Sequence, residues 1–253
     1  MKAPGIPIDI DSFWEYSDPA SSEERFRGLL SSAQGDERLE LLTQIARTFG
    51  LRQRFDEAHE ILNQVEGELA DAGPRPRIRY LLERGRTHNS SGESEMGRPF
   101  FVEAWERAQT AHQEGLAVDA AHMVAITYSG KQEALDWNQR GLELARGSED
   151  PKALALIPAM LNNNAWDLHD MGHFAQALPI FEEALAVWRG RGKPKQILAA
   201  KWAVARGLRS LGRHADALAI LRELEAEHAA LGSVEGTVLE EIAENLAAIG
   251  AVN

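Results

Sequence analysis

The chain has 253 residues, 44% of them apolar and 26% charged, with no cysteine. Its 39 acidic and 27 basic side chains give a net charge of −12, and six of the bases are lysine, leaving 21 arginines. The length and apolar content suffice for a full core, in one elongated domain or two compact ones. The missing cysteines exclude a disulfide framework, Cys-ligated zinc, an iron–sulfur cluster and a thiol nucleophile. The acidic balance argues against a nucleic-acid partner, because neutralising phosphates needs a clustered basic surface. The opening stretch, MKAPGIPIDIDSFW, holds no apolar run of signal-peptide length, and no later stretch reaches the length of a membrane span. Composition therefore predicts a soluble, cytoplasmic protein with no membrane partner.

Residues 1–17 are rich in Pro, Asp and aromatics and show no helical period. Adjacent large aromatics are rare in a disordered tail, so Phe13 and Trp14 are predicted to fold back over the first repeat. Asp18-Pro19 followed by Ser21, Ser22, Glu23 and Glu24 marks a helix start, with Phe26, Leu29 and Leu30 on one face. From there apolar residues recur at three- and four-residue spacing, and strand signals are nearly absent. Leu39, Leu42, Ile45, Ala46 and Phe49 form a helix predicted to end at Gly50. Phe55, Ala58, Ile61, Leu62, Val65 and Leu69 form the next, which stops at Gly73-Pro74. Leu81 to Gly92 opens a further pair. Its turn, Glu93 to Pro99, reads as roughly four residues longer than the usual pattern, and its second helix holds Phe101, Trp105 and Ala108. Val118, Ala121, His122 and Ile126 lead to a turn at Ser129-Gly130-Lys131, then to Ala134 and Gly141. A last amphipathic helix, Val234 to Ile249, has no partner after it.

Two stretches align closely: LNNNAWDLHDMGHFAQAL (161–178), continuing to Phe181 and Ala184, and KWAVARGLRSLGRHADAL (201–218), continuing to Leu221 and Leu224. Leu42 to Phe49 with Phe55, Ala58, Leu62 and Val65 is a third copy. These resemble the tetratricopeptide (TPR) repeat, in which a glycine ends the first helix and a small residue lets the second approach it closely. The small positions read as 58, 101, 134, 177 and 217, mostly further apart than the usual ~34 residues. That lengthening is similar to the TPR variants of kinesin light chains and bacterial regulators. The resemblance covers residues 38 to 249, and the whole arrangement resembles a family of bacterial TPR proteins with no assigned activity. It implies an all-α, right-handed TPR-like solenoid of about five helix pairs. Residues 1–37 would form an N-terminal segment and capping helix, 38–233 the pairs, and 234–253 a C-terminal capping helix.

Catalytic constellations do not emerge. His169 and His173 are four apart, but Gly172 is expected to end the helix between them, which spoils a metal site. Ser129-Gly130-Lys131-Gln132 lacks the upstream glycine and the hydroxyl residue of a phosphate loop. No Gly-x-Ser-x-Gly elbow is present. The sequence thus predicts no enzyme and no cofactor. The TPR resemblance instead implies that first helices line a concave groove. The groove positions it selects are Thr43 and Arg47; Leu82, Arg86, Asn89 and Ser90; and Asp119 and Met123. Further along they are Asn162, Asn163, Trp166, His169 and Asp170, then Trp202, Arg206, Arg209 and Ser210.

Arginine forks suit carboxylates, asparagine amides hold an extended backbone, and a groove tryptophan takes an apolar side chain. The set is similar in type to carboxylate-clamp TPR domains but lacks the clamp lysines and carries Trp166. The expected function is non-catalytic binding of a protein or peptide, acidic or carboxylate-bearing, in the groove. The alternatives are a ligand- or peptide-sensing module acting on a partner protein, and a homo-oligomeric scaffold. Against the groove reading, Asp119 or Asp170 would pair with Arg86, Arg206 or Arg209 in an internal ion network. Trp166 and Trp202 would then be packing residues, as Trp105, Trp137 and Trp188 on second helices are expected to be.

Overall fold

The computed structural model describes residues 9–232 and 234–252, so the first eight residues of the proline-rich start lie outside it. Among the described residues there are twelve α-helices and no strand. In chain order these are α1 (Pro19–Leu30), α2 (Gly35–Leu51), α3 (Phe55–Glu68), α4 (Pro74–Ser90), α5 (Ser94–Thr110) and α6 (Glu114–Thr127). They continue with α7 (Gln132–Gly147), α8 (Pro151–Asp170), α9 (Phe174–Arg191), α10 (Pro194–Ser210), α11 (His214–Ala230) and α12 (Gly236–Val252). The architecture is an all-α, TPR-like repeat fold. Helix α2 packs on α3, α4 on α5, α9 on α10 and α10 on α11, with α1 against α2 and α12 against α11.

Local chemistry sets the helix ends. The Asp18 carboxylate accepts from the Ser21 N–H at 3.1 Å and Pro19 opens α1, so an N-cap and a pre-set φ act together. The turns after α8 and α10 place Gly172 and Gly212 at φ +81° and +72°, a region glycine enters without a Cβ penalty. At the matching place after α2 the chain uses Gln53 at φ 59°. Helix α2 accordingly runs through Gly50 to Leu51 rather than stopping at the glycine.

The α4–α5 connection corrects a sequence expectation. It is only Ser91 to Glu93, and Glu95 to Pro99 already lie in α5. The small residue at the pair's contact is therefore Gly97, not a position near Phe101. A Cβ on Gly97 would lie 2.6 Å from the Gly85 carbonyl oxygen, while one on Gly85 would lie 2.6 Å from the Phe101 ring. Position 101 is thus four residues late, and Gly97 rather than Phe101 takes the small-residue role at this contact.

The chain divides into two compact units, one running to Thr127 with Glu143–Leu154, the other Tyr128–Leu142 with Ala155 onward. In the first, Phe26, Leu41, Ile45, Leu62, Ile78, Leu82 and Phe101 are fully buried. In the second, Ala165, Leu168, Phe181, Val204 and Leu208 form one core cluster, and Ala205, Leu221, Leu224, Val238 and Ile242 form another. Trp188 packs against the former as expected of a second-helix tryptophan. Among the described residues no helix is long and apolar enough to cross a membrane.

Candidate functional site

In the first unit the candidate arginines are already engaged. Arg86 donates from Nη2 to both Asp119 oxygens at 2.5 Å and from Nη1 to Glu83 at 2.6 Å. Arg47 reaches the same Glu83 at 3.3 Å. Burial pushes the Asp119 carboxyl up, but the Arg86 and Arg47 guanidiniums outweigh it and hold it below the usual carboxylate range. The same carboxylates hold the Arg86 guanidinium charged, above its ordinary value and against its own burial. Burial pushes the neighbouring His122 imidazole down, and its Nδ1 has no partner among the described residues. Asn89 accepts from Ser94 Oγ at 2.8 Å and so braces the short α4–α5 turn. Met123 is half-buried on α6.

In the second unit Trp166 and Trp202 come together, their ring centroids 5.8 Å apart. Trp166 also meets Phe181 edge-on at 4.9 Å, and Trp202 packs against the Val238–Ile242 cluster. Each indole is half-buried, so one part packs and the other stays accessible. One and two α-helical turns from these rings the polar candidates behave differently. His169 is buried, with Nε2 2.8 Å from Ser210 Oγ, which ties α8 to α10. Arg206 Nη1 lies 3.5 Å from Glu241, and Arg209 Nε lies 2.8 Å from the same carboxylate while its Nη1 pairs with Glu244. Burial pushes the Glu241 carboxyl up more than Arg206 lowers it. Asp170 is exposed at the end of α8. Asn162 and Asn163 are half-buried and make no side-chain hydrogen bond to another described residue.

The internal ion network weighed in the sequence is thus present at Arg86–Asp119. Arg206 and Arg209 take their carboxylates from α12 instead of from Asp170. Acids at Glu83, Asp119 and Glu241 thus compensate the arginines of the candidate set. Gly172 does separate His169 from His173, which flanks α9. No cluster of three or more metal-ligating side chains occurs among the described residues.

Sequence reasoning missed two features. A cavity of about 430 Å³ lies between α10, α11 and α12, lined by Leu198, Ala199, Trp202 and Val238 with Lys195 and Glu235. The N-terminal segment folds onto the first repeat at Trp14, as predicted, but also reaches Arg79 on α4 and Lys152 at the start of α8 through Asp11. The crowding of Arg75, Arg77, Arg79, Arg84 and Arg86 on α4 was the available signal.

A tetratricopeptide repeat family model matches residues 159–190, the second half of α8 and most of α9. No curated protein matches the sequence. Several solved structures share the fold. RapI in its apo form matches with a TM-score of 0.74 at 12% identity, over 94% of this chain and 70% of that one. A kinesin light chain-type protein of Podosopora anserina with nearly identical TPR-like repeats matches at 0.62 and 18%, over 77% and 96%. NprR in complex with its cognate peptide NprX matches at 0.56 and 15%, over 96% of this chain and 76% of that one.

Proposed function

We propose that this chain, a TPR-like repeat protein, is a non-catalytic peptide-binding module whose contact face in the second unit is built on Asn162, Asn163, Trp166, Trp202 and Arg206. The supporting observation is the coincidence of two unsatisfied amides with a half-exposed tryptophan pair on first helices. An extended peptide offers backbone N–H and C=O groups that an asparagine amide can meet in both directions. Its apolar side chains gain by covering the exposed parts of the two indoles. Arg206, 30% exposed and only loosely held at 3.5 Å by Glu241, is the arginine freest to accept a guest carboxylate. Arg86, Asp119 and Arg209 then support the fold rather than read the guest, since each is ion-paired within its own unit, and His169 is tied to Ser210. Asp170 remains an outer contact in this reading, and Met123 has no role in it. The TPR-repeat fold is in general a protein-interaction scaffold, and the NprR neighbour was solved with a bound peptide.

The test is selection of short peptides from a random display library on the full chain. Enriched peptides should lose about tenfold or more in affinity when Asn162 and Asn163 are both changed to alanine, with helicity unchanged. Enriched peptides that bind the double variant equally well would overturn the reading.

The cavity beside Trp202 favours a second reading, in which a small ligand or a single inserted side chain is sensed there. A thermal-shift screen separates the two, because a small ligand seated between α10, α11 and α12 would raise the melting temperature without any peptide.

A further inference from the structure

Residues 9–16 lie within the first unit against α2, α4 and Lys152 in the first turn of α8. A single 3-10 turn, Ile10–Phe13, shapes the segment. Three residues per turn put Asp11 and Trp14 on one side of it. The Asp11 carboxylate accepts from Arg79 Nη2 at 2.8 and 3.0 Å and pairs with Lys152 Nζ. Trp14 Nε1–H donates to Gln44 Oε1 at 3.0 Å. The indole stacks on Tyr16 at 4.8 Å and meets Phe26 edge-on at 5.1 Å. The Arg47 guanidinium lies 5.6 Å from both the Trp14 and the Tyr16 rings, within cation–π reach.

Three of the groups that receive this segment keep other partners, whereas the ion pairs of Lys152 are with Asp9 and Asp11. Arg79 keeps Glu40 at 3.0 Å, Gln44 keeps Thr43 at 3.1 Å, and Arg47 keeps Glu83. Without the segment no buried charge on α2 or α4 would be left unpaired, so the receiving face is formed in advance. The segment is held by its main chain as well, with Glu15 N–H donating to Ser22 Oγ on α1 at 2.8 Å, yet Asp9, Ser12, Glu15 and Tyr16 are exposed, Tyr16 by 60%, and Ile10 is its one buried side chain. A pre-formed receptor covered by a short, partly exposed stretch of its own chain is suited to exchange of the occupant.

We propose that Gln44, Arg47, Arg79 and Lys152 form a receptor for a segment of another protein that carries a carboxylate and an indole three residues apart, and that residues 9–16 fill it in cis as a competitor. This site is separate from the Asn162–Trp202 face and stands or falls without it. Its recognition logic is charge and shape together: two cations fix the carboxylate, while Gln44 and Arg47 fix the ring. A guest in trans meets a lowered apparent affinity, reduced by the fraction of chains whose own segment has left.

The experiment uses the full chain and a fluorescein-labelled peptide of sequence DIDSFWEYS, matching Asp9–Ser17. Asp11→Ala with Trp14→Ala removes the competitor and leaves the receptor intact. Fluorescence anisotropy should show this variant binding the peptide at least ~10-fold more tightly than the unaltered chain. Adding Lys152→Glu and Gln44→Ala should abolish the gain, as should alanine at the Asp11 and Trp14 equivalents of the peptide. Equal binding to both chains, or no binding to a variant of unchanged circular dichroism, overturns the proposal. Hydrogen exchange on the unaltered chain needs no variant: excess unlabelled peptide should speed exchange at residues 12–14, and an unchanged rate counts against it. A dimer of the unaltered chain that becomes monomeric on Asp11→Ala with Trp14→Ala would assign the occupant to a second copy, which also overturns the claim.

Discussion

Arg86 donates to both oxygens of Asp119 and to Glu83, so its charge is met twice within the fold. Such a guanidinium costs too much to redirect toward a passing ligand, and its contribution is to hold α4 against α6. Asp119 titrates below the ordinary carboxylate range, and the sign of the consequence follows. A carboxyl whose folded pKa is depressed adds stability above its unfolded value, and loses it as pH falls through the folded one. Asp119→Asn should therefore cost about 1–2 kcal/mol at pH 7, and the gap from the parent chain should begin to shrink below about pH 4. Urea midpoints at pH 7 and pH 3 decide this; a constant gap would make Asp119 a packing residue. The pair was one of the options legible in the sequence, since its partners stand 33 residues apart, near one repeat length. The Arg209–Glu241 pairing was not, because α12 belongs to no repeat and its register cannot be carried over from the others. Trp14 was legible for a different reason: a large aromatic has little to gain in a solvated tail.

Helix α5 shows how an element can be seen while its register is missed. Its apolar positions Phe101, Ala104 and Ala108 are fully buried and mark it clearly. The helix start was set late because Glu95 to Pro99 contain a glycine and a proline, residues that usually signal a turn. Pro99 stands inside α5 as its sixth residue, so it removes the N–H that would bond the Glu95 carbonyl, and the helix continues through it. Gly97 is there because no Cβ fits against the Gly85 carbonyl. Gly97→Ala should thus lower stability by about 1–3 kcal/mol, since the atom it meets is backbone and cannot swing aside. Gly207 on α10 is the internal control. A Cβ there would meet Phe181 at 3.4 Å, an ordinary contact, so Gly207→Ala should be neutral or gain up to about 1 kcal/mol from helix propensity. Chemical denaturation of both variants reads the difference; equal losses would mean that helix propensity, not approach distance, governs both sites.

At the scale of the whole molecule the net charge of −12 is distributed through two kinds of contact. Some pairs are exposed neighbours on one helix, such as Arg54–Glu57, Arg107–Glu103, Arg213–Asp216 and Arg222–Glu225. Each adds little and is screened by salt. Others, such as Arg86–Asp119, Arg79–Asp11 and Lys201–Glu227, join different parts of the chain through at least one largely buried side chain. Those are screened far less. The excess acids outside these pairs repel one another, and that repulsion is the long-range term that salt removes first. Raising NaCl from 10 to 300 mM should accordingly raise the melting temperature by about 2–4 °C, a gain equivalent to roughly 1 kcal/mol in a chain of this size. A scanning-fluorimetry series fixes the sign. A fall instead would show that the exposed neighbour pairs outweigh the repulsion, and that the acids are spread so as to attract more than they repel.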